Sequence, residues 1–183
     1  MELAEYQVLK TGVIRAGYKA DIDWAENIKP PTTPEDFAAE IIFVICNSGM
    51  KAQIARAIFD RVVAAIKAHT PLTAAFGHKG KVAAIENVWG MRKVLFDRWK
   101  GIDNWQAQLD FAAALPWIGE ITKYHVVKNF GAQVAKPDRH LMRIASHNGM
   151  SPQAMCERIS KLSGDSVSVV DTVIWRAANL GMI

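Results

Sequence analysis

Cysteine is scarce in this chain. The two present, Cys46 and Cys156, are far apart, and the first lies in a strongly apolar run. That argues against a disulfide framework and points to a reducing compartment. No run of about eighteen apolar residues occurs, which excludes a membrane-spanning helix. The opening residues, MELAEYQVLK, are acidic and mixed and lack the pattern of a signal peptide. There is no convincing strand, internal repeat or low-complexity tract, and the β-branched stretch 167–170 is too short to displace a helical reading. The expectation is a cytoplasmic, all-α protein, a monomer with no membrane partner, no metal and no other cofactor.

Half of the 183 residues (50 %) are hydrophobic and mean hydropathy is +0.04, the balance of a globular protein with one well-buried core or two small lobes sharing it. The net charge of +4 is modest but unevenly spread. Residues 1–50 carry four basic and eight acidic side chains, and residues 51–100 carry ten basic and three acidic. A polyanion partner would meet the middle of the chain. A charge cluster alone is as a rule a solvated helix face. This one begins at Lys51 and Arg56, inside a loop-and-helix segment singled out below.

Proline and glycine punctuate the chain into helices. Pro30-Pro31 reads as a linker, and Thr33-Pro34 opens a helix over 35–46 with Phe37, Ala38, Ile41, Ile42 and Ile45 at helical spacing. A helix over 52–69 turns Ile54, Ile58, Val62 and Ala65 or Ile66 inward. A short helix follows Pro71, and 79–100 is helical with a break at Gly90. Residues 104–114 lead into a hairpin, and a helix over 119–130 ends at Gly131, a natural C′ position. Three more helices span 138–147, 152–162 and 165–179. Trp89, Trp99 and Trp105 are assigned to packing. The reading is a single domain, 1–183, with about ten helices in two lobes around a central cleft, one lobe of roughly 1–35 plus 140–183 and the other of 36–139.

The most informative stretch is 115–143, LPWIGEITKYHVVKNFGAQVAKPDRHLMR. Pro116 stops one helix and Gly119 opens the next, whose N-terminus carries partial positive charge and N–H donors suited to a phosphate. Thr122 and Lys123 add a hydroxyl and a charge in the first turn. Pro137 pushes Lys136 out of helical geometry, and Asp138 is then a natural N-cap. A carboxylate about twenty residues beyond an anion grip needs a chemical reason.

These residues resemble the helix-hairpin-helix DNA glycosylases. The family pattern is Leu-Pro-Gly-hydrophobic-Gly, a helix, a loop, and a Val-Asp-x-His-like segment with an essential aspartate. Leu115, Pro116, Ile118 and Gly119 match the hairpin, and Asp138 with His140 matches the aspartate segment. Upstream, Phe43 to Cys46 and Ser48 through Arg56 are similar to the 8-oxoguanine glycosylase branch, in which the loop here spanning 47–53 fills the gap left by an extruded base. The resemblance spans about 36–183. It departs in three places. Trp117 stands at the hairpin's first glycine. Ile121 stands where bifunctional members carry the Schiff-base lysine, and Lys123, about 200° further round a helix, does not replace it. The four-cysteine iron–sulfur cluster of some relatives has no ligands here.

The resemblance implies a monofunctional glycosylase that flips a modified or mismatched base out of double-stranded DNA and hydrolyses its N-glycosidic bond. Asp138 would stabilise the oxocarbenium sugar, activate water, or both. The DNA contacts implied are Trp117, Ile118, Gly119, Thr122, Lys123, Lys51, Gln53, Arg56, Arg139 and His140. Gln53 is the first choice for the gap-filling residue, with Asn47 and Met50 as rivals and an Asn47 or Ser48 helix cap as the alternative reading. The base pocket would be lined by Ile121 and His125, four apart on one helix face, and by Asp171 and Trp175 on the last helix. For His125 and Trp175 plain core packing is the alternative. Two rival functions stay open: a transferase on the same scaffold that modifies a flipped base without cutting its bond, and a non-catalytic DNA-binding module.

Overall fold

The computed structural model describes residues Met1–Ile183, the side chain of Ala52 excepted. Among the described residues it contains eleven helices and no strand. In chain order these are α1 (Leu3–Arg15), α2 (Lys19–Glu26), α3 (Pro34–Asn47), α4 (Ala52–Lys67), α5 (Leu72–Ala75) and α6 (Lys79–Lys100). They continue with α7 (Trp105–Ala113), α8 (Thr122–Asn129), α9 (Arg139–His147), α10 (Pro152–Ser163) and α11 (Val167–Asn179).

The chain divides into two compact units, one of Met1–Lys29 with Gly131–Ile183, the other Pro30–Phe130. The sequence reading put these boundaries at 35/36 and 139/140, so Asp138 changes unit. The cause is a set of bonds holding the segment after Gly131 to the terminal helices. Gln153 Oε1 accepts from Ala135 N–H at 2.7 Å, and Asp171 Oδ1 accepts from Lys136 N–H at 2.9 Å. Gln153 Nε2 donates to the carbonyl of Gln133 at 3.1 Å.

In the Pro30–Phe130 unit, α3 is the central helix and packs on α4, α6 and α8. Thr33 caps it by accepting from Asp36 N–H at 3.1 Å, Pro34 fits its first turn, and Glu35 and Asp36 favour its positive end. Its apolar residues then fall on the buried side, with Phe37, Ile41 and Ile45 fully enclosed. The Phe37 ring meets those of Phe130 at 4.9 Å, Trp99 at 5.6 Å and Phe96 at 5.7 Å. Three expectations are corrected here. Gly90 does not break α6, which runs unbroken for 22 residues; a solvent-facing glycine in a long helix costs only about 1 kcal/mol, less than parting two turns. Ile54 does not turn inward but is 50 % exposed, because α4 buries Ala55, Ile58 and Val62 instead. Trp99 is core, whereas Trp105, in the first turn of α7, is 39 % exposed.

Within this unit Glu40 is held by Asn129, whose Nδ2 donates to Oε2 at 2.9 Å. Burial raises the carboxyl above its ordinary range, and the bond from Asn129 only partly opposes that. The folded protein therefore holds this proton more firmly than the unfolded chain. Its contribution to stability is full below the ordinary carboxylate range and is lost as pH rises through the raised value. Glu40→Gln keeps an acceptor for Asn129 and cannot ionise. Melting temperature followed against pH should fall less steeply above the ordinary carboxylate range in the variant than in the wild type.

The terminal unit is built on α11, which packs against α1, α2, α9 and α10. Val170, Val173, Ile174 and Ala177 are fully buried there, with Tyr6 and Val13 of α1. Asp165 ties the layers together: it accepts from the Tyr6 hydroxyl at 2.6 Å and from Lys10 Nζ at 2.7 Å. Burial, reinforced by the bond to Asp165, pushes the Tyr6 phenol up, so it remains a donor. No helix among the described residues is long and apolar enough to cross a membrane.

Candidate functional site

The hairpin forms as a non-helical turn between α7 and α8. Trp117 takes a φ of +65°, the left-handed region that a glycine would occupy without cost. What holds a bulky residue there is packing. The Trp117 ring meets the His78 ring edge-on at 5.0 Å. A Cβ on Gly80 would lie 2.7 Å from its Cζ3, so the missing side chain at Gly80 makes room for the ring. The other side of Trp117 is open, leaving it 44 % exposed, while Ile118 is buried at 7 %.

Gly119 does not open the next helix; α8 starts three residues later, at Thr122. The Thr122 hydroxyl closes the turn, accepting from Gly119 N–H at 2.8 Å and donating to Gly119 O at 3.2 Å. The Thr122 hydroxyl and the Gly119 N–H thus satisfy each other within the turn. Among the described residues no backbone acceptor answers the N–H groups of Glu120, Ile121 and Thr122, the orphan donors expected at a helix start. Lys123 is also engaged, its Nζ 2.6 Å from Glu120 Oε2, and that bond pushes its ammonium pKa up. Ile121 is 45 % exposed and sits at the N-cap of α8.

Asp138 caps α9 as its position in the sequence requires. Its backbone is extended (φ −79°, ψ 172°), and Oδ1 accepts from His140 N–H at 2.9 Å and Leu141 N–H at 3.1 Å. Oδ2 accepts no hydrogen bond among the described residues, and the residue is half-buried, not sealed. One oxygen is thus fixed by the helix start while the other is not. Arg139 is exposed and its Nε lies 3.4 Å from His140 Nε2. Behind the cap, buried Asp171 anchors Lys136 through the bond already described. Asp171 thereby steers the backbone leading to Asp138, a role the reading as a base contact did not foresee. Trp175 is half-buried, with the Arg176 guanidinium 4.7 Å from its ring centre.

The loop expected to fill a gap in the stack runs from the end of α3 to the start of α4. Asn47 is the last residue of α3 and Ser48 follows it, so neither caps the next helix; Lys51 holds that position without a side-chain bond. Gly49 (φ +70°) makes the reversal. Met50, Lys51, Gln53 and Ile54 are all exposed. Arg56 is drawn to Asp60 at 3.2 Å, an exposed pair. His125 of α8 is half-buried, with its ring edge-on to Phe43 at 6.0 Å.

The sequence reading missed Lys81. It is 4 % exposed, and its Nζ donates to Ser48 O at 2.6 Å and lies 3.4 Å from Cys46 O. Its signal was present: Lys81 shares an i, i+4, i+7 stripe with buried Ile85 and Val88, a charge on an apolar face. Burial lowers the Lys81 pKa, and burial pushes the neighbouring Cys46 thiol up to about 11.

No protein-family model matches the chain. No curated protein matches it in sequence. Solved structures do. The chain is similar to an 8-oxoguanine DNA glycosylase of Methanocaldococcus jannaschii, at 17 % identity and a TM-score of 0.73, over 98 % of this chain and 94 % of that one. It is similar to the M. jannaschii 8-oxoguanine glycosylase/lyase in complex with a 15mer DNA containing 8-oxoguanine, at 18 % identity and TM-score 0.68, over 98 % and 97 %. The 8-oxoguanine DNA glycosylase of Thermotoga maritima matches at 17 % identity and TM-score 0.66, over 94 % and 93 %. The chain therefore has the all-helical helix-hairpin-helix fold of the 8-oxoguanine DNA glycosylases, along nearly its whole length.

Proposed function

We propose that this protein is a monofunctional DNA glycosylase acting on a modified or mismatched base in double-stranded DNA, with Asp138 as the catalytic carboxylate. The observation that carries the reading is the half-committed carboxylate of Asp138 on a fold shared with solved 8-oxoguanine DNA glycosylases, one in complex with a 15mer DNA containing 8-oxoguanine. A glycosidic C1′–N bond breaks with positive charge building on the sugar. A carboxylate with one oxygen fixed and the other unclaimed can meet that charge or orient the attacking water.

Binding would use the N–H donors of Glu120 to Thr122 for a strand phosphate, with Trp117 and Ile118 beside them. Arg139, exposed at the first position of α9, opposes the helix dipole until a phosphate answers it. Lys123 would turn from Glu120 to the strand, and His140 would support the cap. Ile121, His125, Asp171 and Trp175 remain the proposed surroundings of the base, with Asp171 acting through the Lys136 backbone. Met50 in the loop and Gln53 in the first turn of α4 would fill the vacated stack. A flipped base is what makes the chemistry reachable.

The decisive experiment incubates the protein with a panel of duplexes, each carrying one altered base, and detects released bases by mass spectrometry. Free base from at least one duplex is expected; release from none rejects the proposal. Modification of a base without release would instead favour the transferase reading, for which Trp117 and Lys123 leave room. DNA binding with neither outcome would leave a non-catalytic module.

The salt dependence of binding tests the interface. Lys51→Ala should lower the slope of log K against log salt by about 1, the signature of one lost phosphate contact. Arg56→Ala should lower it less, since Asp60 already draws part of its charge. An unchanged slope for Lys51→Ala would move the strand elsewhere.

A further inference from the structure

The first turn of α6, 78–81, touches both segments assigned above to DNA, yet none of its residues belongs to either. On one side, Lys81 Nζ is bound to the carbonyl oxygens at the end of α3, from which the 48–51 loop departs. On the other, His78 and Gly80 receive the ring of Trp117 in the hairpin. The turn is itself closed, because His78 Nδ1 accepts from Lys81 N–H at 3.3 Å.

A lysine with 4 % exposure is costly to enclose. Its partners are carbonyls at the negative end of a helix and the Phe76 ring, 5.7 Å from Nζ. A hydrophobic residue would fill the same volume at less cost. What the ammonium adds is direction: it fixes where the chain leaves α3, and so where Met50 and Gln53 are presented.

We propose that Lys81 is a positioning residue, and that the 78–81 turn is a common anchor holding the gap-filling loop and the Trp117 hairpin in one DNA-ready arrangement. This rests on the glycosylase reading above. Lys81 itself touches neither the strand nor the base. Its effect is on the difference between gapped and intact DNA, because only a gapped duplex uses the tip of the loop.

The test uses the full chain and two short duplexes, one with a tetrahydrofuran abasic analogue opposite 2-aminopurine, the other intact. The wild type should prefer the gapped duplex and change the 2-aminopurine fluorescence as the loop enters. Lys81→Met should reduce that preference about tenfold, leave affinity for the intact duplex within about twofold, and speed amide exchange at 49–51. Lys81→Arg, which keeps donors and charge, should recover most of the preference. Trp117→Gly should also speed exchange at 49–51, through the shared turn.

If Lys81→Met fails to fold, Lys81→Gln runs the same comparison with a donor kept and the charge removed. A wild-type preference in the folded variant would overturn the proposal. So would equal loss on both duplexes, the mark of a merely structural residue. No response at 49–51 to Trp117→Gly would overturn the common anchor. A wild type without preference for the gapped duplex would overturn the glycosylase reading and this inference with it, and is told apart by needing no variant.

Discussion

Asp138→Asn should lower base release at least about a hundredfold while DNA affinity and fold survive. The structure makes this substitution unusually clean. Oδ1 is the capping oxygen, accepting from His140 and Leu141 N–H, and an asparagine presents the same acceptor at the same place. Asparagine and aspartate are nearly equal as N-caps, so the change in stability should stay within about 1 kcal/mol, most of it the lost charge at the helix start. What asparagine cannot do is present a negative Oδ2 to a developing sugar cation. Asp138→Ala is the poorer probe, because it also costs about 1 kcal/mol of capping and confounds the two roles. Release should be followed by alkaline cleavage of the abasic product, with binding measured on the same duplex and melting temperature as the fold control. Equal turnover by Asp138→Asn and wild type would reject the catalytic assignment.

The second large effect concerns covalent chemistry. Borohydride should trap no complex between wild-type protein and DNA, because position 121 holds isoleucine and the nearest amine is unsuited. Lys123 is bonded to Glu120 at 2.6 Å, and that bond raises its pKa; a Schiff base needs the neutral amine. Restoring the lysine should reverse the result. Ile121 is 45 % exposed at the α8 N-cap, so Ile121→Lys meets no packing penalty. Its amine would sit at an end of the helix whose partial positive charge favours the neutral form. Trapping in Ile121→Lys should exceed the wild-type background at least about tenfold, read as a borohydride-stabilised band on a denaturing gel. Efficient trapping by the wild type would mean that a lysine acts after all, and Lys123→Ala would then identify or exclude it.

Much of this was legible before any coordinates. The helices announced themselves through local physics: Thr33-Pro34 and Asp138 are caps that act within one turn of chain, and each caps the helix it was expected to cap. The hairpin was legible because proline and glycine constrain the backbone whatever surrounds them. The errors fell where local spacing alone underdetermined the answer. Ile54 looks like a core residue by spacing, but which stripe of α4 is buried depends on where α3 lies. Gly90 looks like a break, but α6 is long enough to carry it.

By itself, then, the amino-acid order determined the helical class, the hairpin and the aspartate that starts α9, since these follow from interactions a few residues long. Tertiary structure alone decided which unit Asp138 joins, because the bonds from Gln153 and Asp171 reach across roughly eighteen and thirty-five residues of sequence. It alone decided why Trp117 can hold a glycine's conformation, through the empty space at Gly80. And it alone brought the carbonyl of Ser48, thirty-three residues back in the chain, against the buried ammonium of Lys81.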